Sequence, residues 1–158
     1  MKIRPAVVED ADGIVRTYLE SAEYHAGLDP ERYWVPAIET ISARYREERQ
    51  LTDAGADSIT LVAELTGEIV GFIDARLQRS EDAMHRAMVY CHVVEIAVSS
   101  RHQNQGIGGR LLRAAEDWGR QQGASFASLE YLAANTRASL FYQRMGYRVA
   151  SITAIKSL

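Results

Sequence analysis

A strand that runs into a glycine-rich turn and out again as a helix fixes more of this chain's architecture than any other stretch. Residues Val94-Glu-Ile-Ala-Val98 read as extended backbone, and after Ser-Ser-Arg-His the segment Gln103-Asn-Gln-Gly-Ile-Gly-Gly-Arg110 opens a helix. Ile107, Leu111, Leu112, Ala115 and Trp118 fall on one side of that helix, so it is built to cover a core. The first turn of any helix carries N–H groups without intrahelical acceptors, at the positive end of the dipole. Glycines at Gly106, Gly108 and Gly109 would let a phosphate approach those groups with no Cβ in the way. Two readings stay open on the residues alone: a pyrophosphate cradle, or glycines that only make a tight strand-to-helix turn. Two common nucleotide loops are excluded. No Gly-Lys-Ser/Thr is present, and the Gly-x-Gly-Gly spacing comes late in the chain, after a run of strands.

The hydrophobic period changes along the chain and sets the element order. Lys2 to Val8 reads as a short strand, and Asp10 as the N-cap of a helix with Ile14, Val15, Tyr18, Leu19 and Ala22 at helical spacing. A polar linker, Glu23–Pro30, leads to a second helix with Pro36 near its first turn and Trp34, Ile38, Ile41 and Tyr45 on one face. Leu51–Asp57 reads as a loop. Ile59, Leu61, Ala63 and Leu65 alternate as a half-buried strand does, and Thr66-Gly67 turns the chain into a returning strand, Glu68–Gln78. Met88–Val98 is a further strand. After the helix to about Gln122 come a strand Phe126–Leu132, a helix from Thr136 to Met145 stopped by Gly146, and a last strand Tyr147–Ile155. This order predicts one mixed α/β domain over residues 1–158, an antiparallel meander followed by crossover helices.

Composition adds exclusions. The chain has 158 residues, enough for one domain, and 47% of them are hydrophobic, enough for a core without staples. The net charge of −3 is spread along the chain, so neither a nucleic-acid surface nor an anionic-membrane surface is expected. Cys91 is the sole cysteine and the first fifteen residues are charged throughout, which points to a reducing, cytoplasmic setting. No apolar run approaches the roughly 18 residues that span a bilayer. His25, His85, His92, His102 and Cys91 show no metal-ligand spacing, so no metal is expected. Cys91 sits inside an apolar strand with nothing nearby to activate it, and reads as a small core residue.

Three motifs in order carry a family resemblance. Gln103-x-x-Gly106-x-Gly108, preceded by Ile96-Ala97-Val98, resembles the acetyl-CoA signature of the GNAT superfamily of N-acetyltransferases. Leu129-Glu130 through Asn135, then Leu140-Phe141-Tyr142 and Met145-Gly146-Tyr147, resembles that family's C-terminal motif, and Ile3-Arg4-Pro5-Ala6 with Glu9-Asp10-Ala11 its opening strand and helix. Within the family, the cofactor half is similar to the bacterial ribosomal-protein alanine acetyltransferases.

The resemblance implies a GNAT-like single domain with a central, mostly antiparallel sheet flanked by helices. It also implies transfer of an acetyl group from acetyl-CoA to a primary amine on a small molecule or peptide, by direct attack in a ternary complex. It assigns Ile96, Ala97 and Val98 to the pantetheine arm, and Gln103, Asn104, Gln105, Gly106, Ile107, Gly108 and Gly109 to the pyrophosphate. Asn135 would bond the cofactor's amide arm, although an N-cap for the following helix suits it equally. Tyr142 would protonate the CoA thiolate and touch the cofactor; by spacing alone it is a core aromatic. Glu130 is the first choice of base, with Glu95 and His92 competing. Strand alternation puts Glu95 and His92 on opposite faces unless a bulge intervenes. Acceptor contacts are expected from Tyr24, His25, Tyr33, Trp34 and Tyr45, with a core role the default for Trp34 and Tyr45. Only twelve residues follow Gly146, so the acceptor side is expected to be open or completed by a homodimer partner. The competing class is an acyl-CoA-binding sensor that performs no transfer.

Overall fold

The computed structural model describes residues 1–52, 57–80 and 86–157, so His85 lies outside the described residues. Along the chain run β1 (Lys2–Pro5), α1 (Ala11–Leu28), α2 (Ile38–Thr52), β2 (Ser58–Leu65), β3 (Glu68–Arg79), β4 (Val89–Val98), α3 (Ile107–Gln121), β5 (Phe126–Leu129) and α4 (Thr136–Arg144). Short 3-10 turns sit at Val8–Asp10 and Ser100–His102. The strands form one sheet in the order β1-β2-β3-β4-β5. Thr66 and Gly67 both adopt positive φ, the tight turn that joins β2 to β3 antiparallel. Among the described residues only β4 and β5 pair in parallel, and α3 supplies the crossover that a parallel pair requires.

Alternation along the strands sorts the core into two layers. Leu61, Ala63, Ile73 and Val93 face Leu111, Leu112 and Ala115 of α3 and Tyr142 of α4. Val62, Phe72 and Ala97 face Ile14 and Val15 of α1 and Ile41 and Tyr45 of α2. Helix α3 lies so near β4 that a Cβ at Gly119 would stand 2.4 Å from Cβ of Cys91. Cys91 is buried, directs its S–H to the carbonyl of Ala115 at 3.4 Å, and is a packed core residue.

The structure departs from the sequence reading at several ends. Asp10 stands at the N-cap position of α1, but its carboxylate takes Arg4 Nη1 and Nη2 at 2.6 and 2.9 Å and the Val7 N–H at 2.9 Å. The turn is thus tied to β1 rather than capping the helix. Helix α2 continues through Thr52 into the expected loop, and residues 53–56 lie outside those described. Trp34 precedes α2 and is 77% exposed, not core, whereas Tyr45 is buried as expected. Strand β5 ends at Leu129, three residues early.

The largest correction concerns residues 147–155, expected as a strand. Gly146 at φ +89 ends α4, and Tyr147 still belongs to the core, its Oη donating to Glu116 at 2.9 Å. From 148 to 157 the chain is exposed and without regular structure, with Ile152 at 88% exposure. Its β-branched residues favour an extended backbone, but a ladder needs a neighbouring edge, and none runs beside it among the described residues.

Candidate active site

The site begins with one extra residue in β4. Asp74 pairs with Glu95 and Ala75 with Val93, so Val94 is inserted between them as a β-bulge. Arg76 pairs with His92, and Asp74 and Arg76 share a face of β3. The bulge therefore brings Glu95 and His92 to the same face, the one covered by α1 and α2, where unbroken alternation would separate them. Pairing of β4 with β5 stops at Val93↔Leu129, immediately before the bulge. Beyond it Glu95, Ile96, Ala97 and Val98 are paired to β3 only, and their β5-facing edge has no strand partner among the described residues.

The sheet is open at this point, and side chains from its two faces meet there. Tyr24 of α1 places its hydroxyl 3.5 Å from Oδ1 of Asn135, at the start of α4 on the opposite face. Asn135 is buried and caps α4 by accepting the Ala138 N–H at 3.0 Å. Glu95 reaches in from the α1 side, accepting a hydrogen bond from Ser21 Oγ at 3.3 Å. Burial is the main cause that pushes its carboxyl up to about 7, with Asp74 adding to the effect and Ser21 and Arg44 opposing it. Tyr142 reaches in from the α4 side. Its ring packs against Tyr131, Phe141 and Tyr147, with centroids 5.4, 5.1 and 5.9 Å away. Burial first, then the charge of Glu95, pushes its phenol up to about 12. A neutral-range carboxyl and a phenol held protonated are complementary partners for proton transfer.

The glycine-rich turn closes one end of the opening. Gln103 Nε2 donates to the carbonyl of Val98 at 3.1 Å, and Arg137 Nη2 donates to Gln103 Oε1 at 2.7 Å, which ties the turn to β4 and α4. The Ser100 N–H donates to Glu20 Oε2 at 2.6 Å and ties it to α1. Asn104 and Gly106 adopt φ of +61 and +77. Gly106 is the N-cap of α3 and has no side chain with which to cap it, so the first N–H groups at Ile107, Gly108 and Gly109 have no side-chain cap. A Cβ at Gly108 would stand 3.5 Å from Phe141, ordinary contact, so packing alone does not demand glycine there. An uncapped helix start, a turn fixed on three sides and a free strand edge leading away from it suit a ligand with an anionic end and an amide-bearing arm.

Other expected residues stand further out. Glu130 is the first residue past β5 and is exposed. Its charge is felt at His92, where it opposes the lowering caused by burial and by Arg76. His92 Nδ1 lies 3.1 Å from Ser128 Oγ. Tyr24, His25 and Tyr33 form a chain of ring contacts at 6.1 and 5.9 Å on the α1 side. Sequence reasoning did not single out Ser21, Glu20, Asp74 or Arg137. A lone carboxylate within Ile69-Val-Gly-Phe-Ile-Asp-Ala75 was the available signal for Asp74; the other three are polar helix residues that only the fold brings to the opening. An open hollow of about 470 Å³ between α1 and α2 is lined in part by Asp12, Arg16 and Glu23 and shares Glu20 with this arrangement. Among the described residues no cluster of three or more metal-ligating side chains occurs, and no helix is long and apolar enough to cross a membrane.

Comparison with known proteins places these features in context. Residues 18–147 match the model of the Acetyltransferase (GNAT) family. An uncharacterized N-acetyltransferase, YhfO of Bacillus subtilis, is 33% identical over 91 residues, which are 58% of this chain and 59% of that protein. The aminoalkylphosphonate N-acetyltransferase of Salmonella typhimurium is 33% identical over 92 residues, 58% of each chain. The chain thus spans under two thirds of the length of these relatives. The crystal structure of a mutant BH1408 protein from Bacillus halodurans superposes with a TM-score of 0.90 at 20% identity, over 100% of this chain and 99% of the other. The relatives do not single out the ribosomal-protein branch.

Proposed function

The chain belongs to the GNAT acetyltransferase family, and from that premise we propose that it transfers an acetyl group from acetyl-CoA to a primary amine, with Glu95 as base and Tyr142 as acid. The observation that carries this reading is the opening where β4 and β5 part, with Glu95 just beyond the last β4–β5 pair and near enough for its charge to raise the Tyr142 phenol. Acetyl-CoA supplies the activated acyl group. Its phosphates suit the amides of Asn104 to Gly109, and its amide-bearing arm suits the free edge of Ile96 to Val98 and the Asn135 side chain.

Amines reach an enzyme largely as ammonium ions, with a pKa of about 10.4 for a lysine-type group. Glu95, with a pKa of about 7, accepts that proton directly or through a water. The freed nitrogen attacks the thioester carbonyl, the new C–N bond forms, the C–S bond breaks, and the nitrogen gives up its second proton to solvent. Tyr142 gives its phenolic proton to the departing thiolate and is restored from solvent. The balance is ammonium plus thioester to amide, thiol and one proton released. Glu95 replaces Glu130 as first choice because burial and Ser21 hold it at the opening, whereas Glu130 is solvent-exposed.

Calorimetric titration with acetyl-CoA, followed by thiol release against aminomethylphosphonate, kanamycin, spermidine and a peptide with a free α-amine, tests the reading. Binding with turnover of one amine is expected. Glu95→Gln should then lower kcat by about 10²–10³-fold and Glu130→Gln by less than tenfold. The reverse order would return the base to Glu130. Binding without turnover would make the protein an acyl-CoA sensor, and no binding would leave the glycine turn purely structural.

A further inference from the structure

Two carboxylates stand directly opposite each other in the middle of the sheet. Asp74 of β3 and Glu95 of β4 are register partners beside the bulge, on the face covered by α1 and α2. Like charges placed so are destabilising in a sheet, and burial makes the conflict worse. Along the two strands the pair is flanked by Phe72 and Ala97 on one side and by Arg76 and His92 on the other, and hydrogen bonds to Asp74 alone do not call for a second carboxylate opposite it. A local rule broken without a structural return is the mark of a working residue.

The surroundings settle which of the two keeps its charge. Asp74 accepts hydrogen bonds from Tyr45 Oη at 3.0 Å on one oxygen and from Thr60 Oγ1 on the other. Both donors come from packed elements, α2 and β2, and Tyr45 is almost wholly buried. Two hydroxyl donors stabilise a carboxylate in its ionised form. Glu95 has one longer bond, from Ser21 at 3.3 Å. The ionisable and charged groups around Glu95 are Tyr18 of α1, Arg44 and Tyr45 of α2, Asp74 of β3, His92 on the same face of β4, and Tyr142 of α4. Arg44 favours the ionised form of Glu95, while the carboxylate opposite it favours the protonated form.

We propose that Asp74 is a positioning residue for the transfer: anchored by Tyr45 and Thr60, its fixed negative charge makes the facing Glu95 a stronger proton acceptor. The assignment rests on the reading of Glu95 as the base. Asp74 touches neither substrate, and works through Glu95 alone. By this logic Tyr45, expected from sequence to be either a core residue or an acceptor contact, is a core residue whose hydroxyl sets the charge of the site.

The test is Asp74→Asn, which keeps the shape and removes the charge. Carbon-13 NMR titration of glutamate-labelled protein follows the Glu95 carboxyl directly, its resonance identified by its loss in Glu95→Gln. The expected result is a midpoint lower by about one pH unit than in the unsubstituted protein. The acidic limb of kcat/KM, measured with the amine turned over fastest, should move down by a similar amount, while the KM for acetyl-CoA stays put. A purely structural role would lower the melting temperature and leave both midpoints in place, and that outcome overturns the proposal. A moved carboxyl with an unmoved kinetic limb also overturns it, and identifies the failure as that of Glu95 as base. If Asp74→Asn does not fold, Asp74→Ser removes the same charge with a smaller side chain; both midpoints should then move down by a similar amount, and unmoved midpoints overturn the proposal.

Discussion

At the scale of single residues, environment rather than identity separates the candidates. Glu95 and Glu130 are the same side chain, yet one is held in an opening of the sheet by Ser21 and the other stands in solvent past the end of β5. The raised Glu95 carboxyl has a stability consequence. Its folded pKa of about 7 lies above the ordinary value of 4.5, so between those values the folded state holds the extra proton. Stability therefore falls as pH rises through that window, by about 3 kcal/mol at most. His92, pushed down by burial, works in the opposite sense over an overlapping range. Glu95→Gln removes the first slope, so thermal melts should show the variant gaining on the unsubstituted protein from pH 5 to pH 8. A constant difference across that range would mean that Glu95 is not held protonated. Tyr142→Phe isolates the acid: turnover should drop by 10-fold or more while calorimetric affinity for acetyl-CoA stays within about twofold, because only the proton is removed. Unchanged turnover would sink that role.

At the scale of elements, the strand–turn–helix was legible because its apolar spacing and its glycines point to one geometry. Helix α3 begins at Ile107 behind a left-handed Gly106, as read. Helix α4 and its stop at Gly146 were legible for the same reason. The β4 bulge was not, since no residue type marks it: Val94 is as good a strand residue as its neighbours, and only the register with β3 reveals the insertion. That single residue decides whether Glu95 and His92 share a face, so the part of the site that mattered most was hidden. The segment past Tyr147 misled in the opposite direction, because local β preference says nothing of a partner. The intimacy of α3 with β4 makes its own prediction. Gly119→Ala inserts a methyl group where Cys91 already stands, and should destabilise by about 1–3 kcal/mol in denaturant melts. A smaller loss would mean that α3 slides along the sheet to make room.

At the scale of the whole molecule, the domain is two helical layers held apart by a sheet that fails to close at one place. Antiparallel pairing joins β2, β3 and β4 through long ladders, while β1 and β5 are each joined by four residues, and β5 leaves the last half of β4 uncovered. The amide hydrogens on that uncovered edge are a built-in gauge of occupancy. In deuterated water, those pointing away from β3 between Glu95 and Val98 should exchange far faster than the amides bonded to β3, and binding of acetyl-CoA should slow them selectively. Slow exchange without ligand would mean that the edge is already covered, by the protein's own chain or by a second copy. The gap thus gives any occupant a time signature, readable before any product is made and whether or not the amine is known.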